Sequence, residues 1–221
     1  MRFITFMFTA FLLSACASAP ESMSRDDVDA QRIADHQRSL ADVSAWEFQS
    51  RMAFFELQQG SRQSASLRWK NAPASRSLRI SHPLRGTLAQ LEETENGAVL
   101  TDQHGDQYYA ADIQSLLLAH LNVVLPIGLI QDALLGRIPQ TEIINPTFYA
   151  DGTLAEYQID VRHANHWWDN RLRHDEVQTW QVTLQRYENA ANQPVRLPHY
   201  LELTSTQYEI RLNISRWTLF P

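Results

Sequence analysis

From Ala45 onward apolar and polar side chains alternate one by one, in run after run, and this period of two commits most of the chain to β-strands. Trp46, Phe48, Met52 and Phe54 alternate with Glu47, Gln49, Arg51 and Ala53, with Ser50 interrupting the apolar series. Leu67 and Trp69 alternate with Arg68 and Lys70, and Leu78 and Ile80 flank Arg79. Runs at 87–93, 98–103 and 107–111 follow, separated by Asn96-Gly97 and His104-Gly105-Asp106, which are turn signals. The alternation returns at Leu154, Tyr157, Ile159 and Val161, and again at Trp180, Val182 and Leu184. Leu201 and Leu203, then Tyr208, Ile210, Leu212 and Ile214, carry it toward Trp217 and Leu219. Such runs predict antiparallel strands with one apolar face and one wet face. About ten or eleven strands are too many for a flat open sheet. The expected fold is therefore mainly β, an incomplete (half-open) antiparallel barrel with a helical lid.

The lid is read from the one long break in the alternation. Asp112 is placed to cap a helix through Leu116, Leu117, Leu118 and Leu121. After Pro126 a second helix carries Ile127, Leu129, Ile130, Leu134 and Leu135 and ends at Gly136. Within 116–135 stand His120, Asn122, Pro126, Gln131 and Asp132, each costly in hydrocarbon, so two covering helices fit better than a membrane span. If inward side chains do not fill the curve of the sheet, an apolar cavity results. The early strands would line it with Phe48, Met52, Phe54, Leu67 and Trp69, and the lid with Leu117, Leu121 and Leu129. The late strands would add Trp180, Val182, Leu184, Ile210, Leu212 and Ile214. Any one of these fits equally well as core filler.

The N-terminus is of a different kind. Arg2 precedes an apolar run from Phe3 to Leu13, and Leu13-Ser14-Ala15 leads directly into Cys16, the chain's one cysteine. The run is short for a membrane span and ends in small residues, as a cleaved secretory signal does. A cysteine at that junction resembles the bacterial lipobox, which implies that residues 1–15 are a lipoprotein signal peptide and that Cys16 is acylated. With one cysteine no disulfide can form within the chain. Residues 16–25, small, polar and proline-containing, read as a tether, and 26–221 as a single domain. Asp26 or Asp27 would cap a short helix carrying Val28, Ile33 and Leu40. Ala17 follows the cysteine; an aspartate there commonly marks inner-membrane retention in lipoproteins of this type, so its absence resembles an outer-membrane address, with the lipid anchor facing the periplasm.

A formal charge of −6 argues against nucleic acid as a partner, since phosphate backbones select clustered Lys and Arg. No nucleophile elbow, glycine-rich phosphate loop or H-E-x-x-H occurs, and no enzyme chemistry or cofactor is expected. The segment 162–176 offers His163, His166, His174, Asp169, Asp175 and Glu176, enough donors for a metal. It is also rich in arginine and asparagine and sits between two strands able to pair directly, so a solvated hairpin extension is the preferred reading. Trp167 and Trp168 are unusual there and suit either the barrel wall or a membrane interface. The other marked turn is Ser81-His82-Pro83-Leu84-Arg85-Gly86, which projects Leu84 outward.

Several short motifs in fixed order carry a resemblance. They are Ser50-Arg51-Met52-Ala53-Phe54, Leu67-Arg68-Trp69, His82-Pro83-Leu84, and Leu125-Pro126-Ile127 with Leu134-Leu135-Gly136-Arg137-Ile138-Pro139. Trp180-Gln181-Val182, Gln185-Arg186-Tyr187, Leu197-Pro198 and Arg211-Leu212-Asn213-Ile214-Ser215-Arg216-Trp217 complete the series. From Trp46 to Leu219 the chain resembles the LolB family of outer-membrane lipoprotein receptors. That resemblance implies a half-barrel with a lid enclosing an apolar cavity, which binds the acyl chains of lipoproteins handed over by a LolA-like periplasmic carrier. It also implies delivery into the inner leaflet of the outer membrane through a protruding loop, here Pro83, Leu84 and Arg85, by a monomer without cofactor. Arg85 stands where the family usually has glycine, and Ala133 where it often has tryptophan. A general carrier of hydrophobic ligands and a non-transport adaptor lipoprotein are the competing readings.

Overall fold

The computed structural model describes residues 20–121, 127–162 and 177–220. Cys16, the side chain of Leu121 and the 163–176 cluster lie outside them.

One antiparallel sheet organises the described residues. Its strands are β1 (Met23–Ser24), β2 (Ala45–Glu56), β3 (Ser61–Ala72), β4 (Ser75–His82), β5 (Gly86–Thr94), β6 (Gly97–Asp102) and β7 (Gln107–Ala110). After the helices come β8 (Ile144–Phe148), β9 (Leu154–Arg162), β10 (Val177–Asn189), β11 (Arg196–Thr204) and β12 (Tyr208–Phe220). The spatial order is β1-β8-β9-β10-β11-β12-β2-β3-β4-β5-β6-β7, an open sheet whose two ends are β1 and β7. The first and last long strands are thus neighbours, and β2 pairs with β12 over most of its length. The sheet has twelve strands rather than ten or eleven. The additional ones are β1, only two residues long, and β8, whose Asn145 (φ 49) and Pro146 disguise it and whose pairing with β9 is irregular.

Helix α1 (Ala30–Ala41) is capped by Asp29, whose carboxylate accepts from the Gln31 amide at 2.8 Å. This corrects the cap expected at Asp26 or Asp27, which instead form a single 3-10 turn with Arg25. Ile33, His36 and Leu40 supply its buried side, while Val28 is buried just before the helix. Helix α2 (Ile113–Leu121) starts as expected, with the Ser115 amide donating to Asp112 at 2.7 Å. Helix α3 (Ile127–Leu135) ends at Gly136, whose φ of +71° is the left-handed conformation that terminates helices. Among the described residues no helix is long and apolar enough to cross a membrane.

An apolar sheet face open at its rim

The site is built on the face of the sheet that carries the apolar side of the alternation inward. At one end of that face Trp46, Phe48, Trp69 and Trp217 form an aromatic cluster with ring centroids 5.2–6.1 Å apart. These rings come together because register places Trp217 and Trp69 on either side of Phe48. The bulge between Ile214 and Arg216 makes this possible, since it shifts the inward phase of β12 by one residue. The Trp217 indole donates to the Pro198 carbonyl at 3.0 Å, which fixes its orientation.

Along β2 the burial fades. Trp46, Phe48 and Ser50 are buried, whereas Met52 and Phe54 are only half-covered, although all five point the same way. On the neighbouring strands Ile80 and Tyr208 are also half-covered, and Phe54 stacks on Tyr208 at 5.6 Å. The apolar face is therefore sealed at one end and comes to the surface at the other. We call that open end the rim. It carries the β2–β3 turn, the β4–β5 turn and the β11–β12 turn, and exposed Leu57, Leu84 and Val177 all lie there.

Most of the residues predicted to line a cavity are in one contiguous buried cluster: Phe48, Leu67, Trp69, Leu117, Leu129, Trp180, Val182, Leu184, Ile210, Leu212 and Ile214. Met52 and Phe54 border it. The same cluster contains Trp46, Tyr157, Ile159, Leu203 and Leu219, which the alternation also marked but which were not assigned to the lining. Three polar atoms in it, Trp69 Nε1, Trp180 Nε1 and Tyr157 Oη, and Ser50 Oγ on the same face have no hydrogen-bond partner among the described residues. Burial pushes the Tyr157 phenol far above its usual range, so it stays protonated. Among the described residues no group of three His, Cys, Asp or Glu side chains is placed to hold a metal.

The lid is joined to α1 by residues 136–138. Arg137 donates to the carbonyls of Leu40 and Val43 at 2.7 and 2.5 Å, placing a cation at the C-terminal end of α1. Gln37 completes the joint, donating to the Gly136 carbonyl at 3.0 Å and accepting from the Ile138 amide at 2.9 Å. Ala133 is fully buried in α3.

At the rim Leu84 is 91% exposed. Its backbone amide donates to His82 Nδ1 at 3.2 Å, and the Arg85 amide donates to the His82 carbonyl at 3.2 Å, so the turn is held from within. The left-handed position of this turn is Gly86 (φ +74°), not residue 85. Arginine at 85 is compatible with the loop for that reason.

A family model for the outer membrane lipoprotein LolB matches residues 44–217. The outer-membrane lipoprotein LolB of Vibrio cholerae is 28% identical over 222 residues, which covers 100% of this chain and 97% of the relative. Its counterpart in Pectobacterium carotovorum is 25% identical over 207 residues, covering 93% and 90%. A solved LolA superfamily protein from Nitrosomonas europaea has a similar fold, with a TM-score of 0.51 over 88% of this chain and 94% of that one, at 7% identity.

Proposed function

This chain belongs to the LolB family of outer-membrane lipoproteins, and from that premise we propose that it accepts lipoproteins from a LolA-like periplasmic carrier and inserts them into the outer membrane. The family is one of non-enzymatic receptors, so the transfer runs on differential affinity. Acyl chains must cross water without meeting it, and each methylene kept dry is worth about 0.8 kcal/mol. The receptor must therefore hold them more tightly than the carrier does and less tightly than the bilayer.

The observation that supports this reading is the fading of burial from Phe48 to Phe54 on one face of β2. An acyl chain entering at the rim would meet Met52, Phe54, Ile80 and Tyr208 first and then press toward Leu67, Leu212 and Ile214. The lining is completed by Trp180, Val182, Leu184 and Ile210 across the sheet, and by Leu117 and Leu129 from the lid. Parting of α2 and α3 from the sheet would make the space, and α3 would stay hinged to α1 through Arg137.

Delivery would use the loop of Pro83, Leu84 and Arg85. Burying one leucine is worth about 1.5–3 kcal/mol, enough to bias docking and too little to anchor. Anchoring falls to the acylated Cys16 at the end of its tether, after removal of residues 1–15. The acidic balance of the chain favours encounter with a basic carrier face.

The test is photo-crosslinking with a cargo lipoprotein whose acyl chains carry a diazirine, loaded onto the carrier and then mixed with this protein. Crosslinks concentrated on the lining residues, with Met52 and Phe54 among them, are the expected result. Crosslinks confined to the outer face of the sheet would refute an internal acyl site.

A further inference from the structure

The outer face of the same sheet carries two grooves lined mainly by outward-facing polar side chains, with Leu67 and Met52 at their edges. They occupy about 640 and 580 Å³ and run along β2, β3, β4 and β12. The first is lined by Arg51, Arg68 and Arg79, and the second by Arg51, Arg62 and Arg211. Neither is lined by a carboxylate, although acidic residues outnumber basic ones 25 to 19 in the chain.

Register explains how the cations gather. Arg68 stands directly opposite Arg79 across the β3–β4 pair. One row away, Asn213, Arg51, Ser66 and Ser81 form a continuous cross-strand line. Like charges placed directly opposite each other destabilise a sheet, and among the described residues this pair is only partly offset. Arg68 has one ion pair at 3.4 Å, to Glu47, and Arg79 donates to the neutral Gln90. Among the described residues Arg51 and Arg62 have no ion pair, and Arg62 lies over the Phe55 ring at 5.2 Å. Arg211 is the exception, paired with Glu202 at 3.1 Å and with Glu209.

Guanidinium groups flanked by serine hydroxyls and an asparagine amide match the oxygens of a phosphodiester. Position selects the source. The wall of the second groove includes His82 and Pro83, the base of the loop that projects Leu84. When that leucine reaches the acyl boundary of a membrane, the groove behind it lies at headgroup depth. We propose that this face is a seat for the phosphates of anionic phospholipids, which holds the rim against the membrane while the loop inserts. The proposal rests on the membrane-delivery reading above.

It is tested with the full chain anchored in vesicles of phosphatidylcholine alone, or of phosphatidylcholine with phosphatidylglycerol. Arginine modification by phenylglyoxal, read residue by residue by mass spectrometry, gives the footprint. The expected result is at least fivefold slower modification of Arg51, Arg68 and Arg79 in the anionic vesicles only, relieved by high salt, with Arg38 on α1 unchanged. Equal rates in both vesicles would overturn the proposal. So would protection by inorganic phosphate alone, or protection appearing only when the carrier is added, which would make the face a protein-docking surface. Combined R51Q, R68Q and R79Q should slow delivery to anionic vesicles by about 100-fold, given roughly 1 kcal/mol per basic residue near such a surface, and leave cargo uptake intact. Footprint protection in a wild-type chain that takes up no cargo would sustain the phosphate seat and sink the receptor reading, so the two fail separately.

Discussion

Phe48 and Phe54 face the same way on one strand, yet their surroundings assign them different work. Phe48 has no exposed surface and packs against Trp46, Trp69 and Trp217, so Phe48→Ala should cost about 3–5 kcal/mol in chemical denaturation. Phe54 is half-covered at the rim, and Phe54→Ala together with Met52→Ala should cost far less stability while sharply reducing cargo uptake from the carrier. Equal losses of stability and uptake in the two variants would contradict a division between core and mouth. His36 gives a second residue-level expectation. Its Nε2 donates to the Arg196 carbonyl at 3.0 Å, its Nδ1 has no partner among the described residues, and burial lowers its pKa below the ordinary 6.5. The unfolded chain then takes up the proton first as the solution is acidified. Stability is complete above pH 6.5 and is lost as pH falls through the depressed value, and His36→Gln should flatten the melting temperature between pH 7.5 and 5.5. The inward identity of these aromatic residues was legible from alternation alone. Their division was not, because it depends on which neighbours end before the rim. Ser50 is instructive: it reads as a break in the pattern, but it occupies an inward position between Leu67 and Ile214.

At the scale of elements, the motifs that carried the family resemblance turn out to be joints. Leu134–Pro139 ends α3 and ties it to α1 through Gly136, Arg137 and Ile138. Arg186 adopts a positive φ of 56° within β10 without shifting the β10–β11 register, and the adjacent Tyr187 hydroxyl donates to the Leu154 carbonyl at 2.8 Å. Gly136→Ala would bring a Cβ within 2.5 Å of that hydroxyl oxygen on a left-handed backbone, so a loss of more than about 2 kcal/mol is expected in urea unfolding. Arg137→Met leaves two helix-end carbonyls without their cation, and about 1.5–3 kcal/mol should be lost. If the lid moves on this joint, Arg137→Met should also change the rate of cargo uptake; an unchanged rate would place the moving part elsewhere. Strand existence, the Asp112 cap and the Gly136 stop were readable because each follows from local chemistry. The α1 cap was misplaced by a few residues because Asp26, Asp27 and Asp29 are chemically equivalent as caps, and β8 was missed because Pro146 and irregular pairing erase its period. The arginine grooves were invisible for another reason. An outward arginine looks like any wet face until the register sets Arg68 against Arg79.

For the whole molecule, the arrangement separates a sealed end from an open one. Leu57, Leu84 and Val177 share the rim, and the turns that bear Leu57 and Leu84 are the ends of long strands paired to the core, while Val177 is the first residue of β10. In the proposed function, a loop built this way would press a single leucine into a membrane without strain on the acyl site. Because Leu84 is 91% exposed and makes its turn contacts through backbone, its replacement leaves the fold and the apolar face unchanged. The account therefore claims two separable devices, one for acceptance and one for delivery. The measurement that tests this most directly follows a radiolabelled lipoprotein from the carrier to this protein and then to liposomes, with wild type and Leu84→Glu in parallel. The account predicts equal uptake by both and membrane delivery lost only in the variant. Equal loss of uptake and delivery in the variant, or no uptake by the wild-type protein from an active carrier, would contradict it.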